Sequence, residues 1–199
     1  MRNYQKSRSI WLLIATCGIL SGCFATTLPE NPQPESLSRL VAAAPRQRTL
    51  LVRSDLDNGG VGYQFLLFGL PVGRIYAPST RPLVASAMRA RAGLAGLGLA
   101  DPSDTAPMVS IDIVDLSVHG YDFLLFRRPY ARIRLRGSLA SSDDESRECE
   151  ITEESAHFAK FAFERDLSEA LQSAADKAAA RMLSCLGLVR EHEAVAEDE

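Results

Sequence analysis

The chain has 199 residues, 46% of them apolar and 24% charged, with 22 basic and 25 acidic side chains. That balance fits one globular domain with a real core and excludes collagen, a coiled coil, full disorder and a polytopic membrane protein. A net charge of −3 also argues against a nucleic-acid binder, whose domain is normally basic.

Residues 1–22 contain Arg2, Lys6 and Arg8 and no acid, followed by an apolar run from Ile10 to Leu20. About 11 residues are too few to cross a roughly 30 Å hydrocarbon layer as a helix. A basic start and a short apolar stretch form a secretory signal. It ends in Leu20-Ser21-Gly22-Cys23, which resembles the lipobox of bacterial lipoproteins at all four positions. The resemblance implies diacylglycerol on the Cys23 sulfur, cleavage before Cys23 and acylation of the new amine. Several acyl chains on one residue anchor stably, where a single chain is marginal. Phe24 stands where an Asp would retain such a protein in the inner membrane. The expected address is therefore the outer membrane, lipid-anchored on its periplasmic face. Loss of the signal removes three basic residues and no acidic one, taking the net charge from −3 to −6. Export and acidity together leave no role for nucleic acid.

Residues 23–48 carry Pro29, Pro32, Pro34 and Pro45 and read as the lipidated Cys23 with a flexible tether. Fully extended, such a tether reaches at most about 80–90 Å. A single α+β domain is expected over 49–188. The end, 189–199, has five acids in its last ten residues and reads as a disordered acidic tail.

Within the domain, GYQFLLFGLPVGRI (62–75) and GYDFLLFRRPYARI (120–133) share nine of fourteen residues at an offset of 58. Each copy follows a strand-like segment (Thr49–Leu56 and Met108–Val118) and precedes a helix-like one. This predicts two related halves packed about an approximate twofold axis. The first helix is expected over Ser79–Leu97, with Leu83, Val84, Ala87, Met88, Ala92 and Ala95 as its apolar stripe, Arg91 mostly off it, and Gly96 ending it. The second is expected over Asp166–Leu186. Its stripe, Leu167, Leu171, Ala174, Ala178, Met182 and Cys185, is narrow and small enough for close packing on a sheet.

Val109, Ile111 and Ile113 alternate with polar residues, and Leu116 and Val118 continue on the opposite parity, which predicts a β-bulge near Ile113–Val114. Residues 130–139 alternate cleanly. A polar turn at 141–146 then leads to a strand in which Cys149 and Ile151 face the core. A hairpin centred near Asp143 sets Arg136 beside Glu150 and Arg132 beside Glu154. The fold class is α+β: a small antiparallel or mixed sheet with two helices on one face, in the order β-α-β-β-β-α.

The runs Phe65-Leu66-Leu67-Phe68 and Phe123-Leu124-Leu125-Phe126 are the most informative feature. Either they cover each other and the core, or they form an exposed apolar surface for a protein partner, a ligand or the membrane surface. Arg127 and Arg128 extend the second run and have no assigned acidic partner, so they are the candidates for an external anion. Cys149 and Cys185 both fall on core faces, either as one disulfide or as two buried thiols. His119, His157 and His192 are scattered, and no metal site or cofactor is predicted. No GxSxG, HExxH or Walker pattern occurs, so no catalytic residues and no enzyme activity are expected.

The lipobox, Pro-rich segment, first strand, helix introduced by APSTRPL (77–83), V-x-I-x-I strand (109–113), long hairpin and closing LSEAL helix (167–178) together resemble the YajG-type lipoproteins. More distantly they resemble the auxiliary lipoproteins of envelope ABC transporters. The resemblance implies a non-enzymatic accessory or interaction module of an envelope assembly or transport system, with an envelope protein as partner. The alternative is a protein that binds a lipid or amphiphile between the duplicated GYxFLLF arms. The oligomeric state is not legible.

Overall fold

The computed structural model describes residues 24–28, 40–42, 48–54, 56, 60–66, 69–77, 80–100, 108–123, 126–140, 146–158 and 163–191. The chain forms strands β1 (Phe24–Thr27), β2 (Leu40–Ala42), β3 (Arg48–Ser54), β4 (Gly60–Leu66) and β5 (Leu70–Tyr76), then helix α1 (Thr80–Leu94). Strands β6 (Leu99–Ala100), β7 (Met108–Phe123), β8 (Phe126–Leu139) and β9 (Arg147–Ala156) follow, then helix α2 (Phe163–Cys185) and strand β10 (Val189–Glu191). The fold is α+β, and its main sheet is mixed and eight-stranded, while β2 and β10 pair separately.

Strand β7 organises the sheet. At 16 residues it is about 50 Å long. One edge pairs antiparallel with β8 along its whole length, and β8 carries β9. The other edge takes two shorter strands end to end, both parallel to β7: β3 alongside 108–113 and β4 alongside 118–121. Beyond β4 come β5, antiparallel, and then β1, parallel to β5. Strand β6 adds two residues to β3.

The element order corrects the expected β-α-β-β-β-α sequence. The first repeat copy is the β4–β5 hairpin, and the second is the junction of β7 and β8. The two copies share strand direction and place Tyr63 and Tyr121 on one face, yet β5 flanks them on one side and β8 on the other. A twofold axis along the strands would exchange faces, and one through the sheet would reverse the strands. Neither relates the copies, so the expected twofold is absent. The tether boundary also shifts. Phe24–Thr27 forms β1, with Thr26 and Leu28 buried, instead of flexible chain. The expected disordered tail, 189–199, begins instead as β10, paired with β2; its remainder and the polar turn at 141–145 lie outside the described residues.

Both helices pack on one face of the sheet, side by side. α2 lies over β8 and β9. Its Leu167, Leu171, Ala174, Ala178 and Met182 are all buried, as their spacing requires, whereas Cys185, expected on the same core face, is exposed in the last turn. Gly137 of β8 lets it approach: a Cβ there would collide with the Met182 sulfur. The helix ends at Gly187 in the left-handed conformation (φ 70°), with the Leu188 N–H returning to the Leu183 carbonyl. Cys185 in its last turn is bonded to Cys149 on β9, with Cα atoms 6.2 Å apart. Arg91, placed off the apolar stripe by sequence, is 3% exposed between the helices. Burial lowers its pKa, and the facing charge of Asp176 opposes that shift.

Candidate functional site

The helices leave the other sheet face open. In paired strands, partners point the same way, so the register decides what that face carries. The pairs Tyr63 with His119 and Phe65 with Tyr121 bring four rings together from β4 and β7, and β8 adds Tyr130 opposite His119. Phe65 stacks on Tyr121 at a centroid distance of 5.2 Å, and His119 on Tyr130 at 6.2 Å. Tilted contacts from Phe65 to His119 and Tyr63 join the two stacks. Tyr63 and Tyr121 remain exposed to solvent, at 43% and 37%. The Arg74 guanidinium lies 5.9 Å from the Tyr63 ring centroid.

Burial among these rings pulls His119 below its ordinary pKa, and its Nδ1 accepts the Tyr63 N–H at 3.4 Å, an arrangement suited to the neutral imidazole. Beside the cluster, β8 and β9 form the arginine and glutamate face that the alternation dictates. Arg134 and Arg136 share the Glu150 carboxylate and hold it below the usual carboxylate range, while Arg132 faces Glu154 at 3.7 Å. The row is therefore largely self-neutralised.

Of the residues singled out by sequence, Phe65 is half-buried within the ring cluster, and Leu66 and Phe123 are exposed at 46% and 42%. Phe126 pairs through its backbone with Phe123. Cys23, Leu67, Phe68, Leu124 and Leu125 lie outside the described residues. Arg127 has a partner after all: its Nε is 2.7 Å from Asp122 on the helix side of the sheet, opposing the upward push of burial on that carboxyl. Arg128 lies on the open face, 5.9 Å from the Phe158 ring centroid.

Sequence reading missed the ring cluster as a whole, because Tyr63, His119 and Tyr130 meet only once β4 lies parallel to β7. Its one legible sign was the spacing Tyr63, Phe65 and His119, Tyr121, two residues apart and hence on one face. The structure also gathers His157, Asp166 and Glu169, with ligand atoms within 4.8 Å of one another; Glu169 is exposed and already engaged by Arg165 at 2.8 Å. A cleft of about 110 Å³ lies between the helices, lined by Leu83, Ala87, Ala90, Gln172 and Asp176 among others. A much smaller one, about 10 Å³, lies beside Asp122 and Asp166. Neither is lined by a residue of the FLLF runs.

No family model matches the sequence. No curated protein matches it either. Among solved structures, a protein of the DUF330 family from Xanthomonas campestris is similar at 16% identity and a TM-score of 0.44, over 80% of this chain and 91% of that one. The rare lipoprotein B of Shewanella oneidensis is similar at 11% identity and a TM-score of 0.39, over 70% of this chain and 94% of that one. A minor lipoprotein from Acinetobacter baumannii gives 8% identity and a TM-score of 0.40, over 75% and 98%.

Proposed function

We propose that the chain is a lipid-anchored envelope protein, held by Cys23 on the periplasmic face of the outer membrane. It acts by binding, as an accessory module of an envelope assembly or transport system, and not by catalysis. Leu20-Ser21-Gly22-Cys23 followed by Phe24 supports the anchor and the address. The observation that carries the mode of action is the open sheet face with its stacked rings. Exposed tyrosines beside an arginine are the side chains that contribute most at protein interfaces.

The test is a photoreactive phenylalanine analogue placed at Tyr63, at Tyr121 and at Lys177 on α2, in intact cells. The first two positions should capture the same envelope protein, and position 177 should not. The double variant Tyr63→Glu, Tyr121→Glu should abolish capture at a photoreactive Tyr130 position while unfolding at the wild-type temperature. Adducts to its own chain alone, or equal capture from Lys177, would remove this reading.

A further inference from the structure

The two hairpin ends and the start of β1 lie at one end of the sheet. β4 and β7 are parallel, with Phe65 beside Tyr121, so the β4–β5 and β7–β8 connections project the same way. β1 runs parallel to β5, starting at Phe24 beside Gly73 and moving away from the connection. Gly73 is three residues from Leu70, about 10 Å along the strand. The backbone therefore enters β1 from this end, one residue after the proposed acyl site at Cys23.

Among the described residues, the same end carries the most exposed Leu and Phe side chains of the sheet and its edge: Leu66 at 46%, Leu70 at 60%, Phe123 at 42% and Phe158 at 72%. They span the strands from β5 to the end of β9. Arg128 sits over Phe158, a guanidinium on an aromatic ring at the rim of the apolar group. Leu and Phe flanked by arginine suit the boundary between acyl chains and headgroup phosphates.

We propose that this end of the sheet rests in the headgroup layer of the bilayer that holds Cys23, an inference built on the lipid anchor proposed above. Leu66, Leu70, Phe123 and Phe158 enter the interface, and Arg128 meets lipid phosphate. The sheet then stands on the membrane, and its ring-bearing face stays open to a partner at the side.

The single tryptophan, Trp11, lies in the signal, so the mature chain gives a dark background for a fluorescent probe. Leu70→Trp, Phe123→Trp and a control, Leu94→Trp, are introduced one at a time into the acylated mature protein. Leu94 is exposed at the end of α1, a few residues before β6, which pairs beside the opposite end of the sheet. The protein is placed in vesicles of phosphatidylethanolamine and phosphatidylglycerol with brominated acyl chains. Trp at 70 and 123 should emit to the blue and be quenched several-fold more than Trp at 94.

Water-like, unquenched emission from both positions, in protein that floats with the vesicles and has the acylated mass, would overturn the inference and leave the anchor standing. A blue shift without quenching that grows with protein density would overturn it in favour of a second copy. An unacylated mass with no flotation would remove the anchor and this inference together.

Discussion

Gly62 is a residue defined by its neighbour. It faces Val118 across the parallel β4–β7 pair, and a Cβ at position 62 would fall on the Val118 carbonyl. Backbone cannot step aside as a flexible side chain does. Gly62→Ala should therefore cost about 2–3 kcal/mol in a denaturant titration. Gly60→Ala is the matched control, because its nearest neighbour would be the Ile75 carbonyl oxygen at an ordinary 3.7 Å, and it should be nearly neutral. His119 gives a second prediction. Burial lowers its pKa from 6.5 in the folded chain, so the unfolded chain takes up the proton first as pH falls. Its contribution to stability is present above about pH 6.5 and diminishes below it. His119→Phe should flatten the fall in melting temperature across that range, read as a difference between the two proteins at each pH.

At the scale of elements, α2 and the β7–β8–β9 ladder follow from the sequence. Period-2 alternation in 130–139 and 147–156 leaves one register that pairs arginine with glutamate, and the observed bulge between Ile113 and Asp115 falls where the parity flips. The β4–β5 hairpin and β1 were illegible for a physical reason. Four consecutive apolar residues beside glycine and proline show neither helical nor strand periodicity, and Ala25-Thr26-Thr27 resembles tether composition until β5 supplies a partner. The ring cluster was hidden for the related reason that its members belong to strands 56 residues apart in sequence. The Cys149–Cys185 bond is the element-scale lever. It closes a 36-residue separation and stabilises by about 3–4 kcal/mol on the chain-entropy account. Cys149→Ser with Cys185→Ser should melt on the order of 10 °C lower. Reductant should shift the wild type equally and leave the double variant unchanged.

For the whole molecule, sheet, helices and proposed anchor form one mechanical unit. Exchanging residues 1–23 for a cleavable secretory signal without the lipobox Cys removes the proposed acyl site, so it should release the protein into the soluble periplasmic fraction with its disulfide formed and its melting temperature unchanged. Fractionation and non-reducing electrophoresis check both statements. A protein acylated at Cys23 but with a disrupted ring cluster would still stay on its membrane, so Tyr63→Glu should alter capture of a partner and not fractionation.

The entry of Phe24 directly into β1 has a consequence for where the body can travel. The proline-rich stretch follows β1 in the chain, so it does not lie between the proposed acyl site at Cys23 and the sheet. With the acyl group proposed on Cys23, the domain would not roam on a leash and would stay close to the leaflet that holds it. On that proposed placement, a partner in the opposite membrane would itself have to cover the distance.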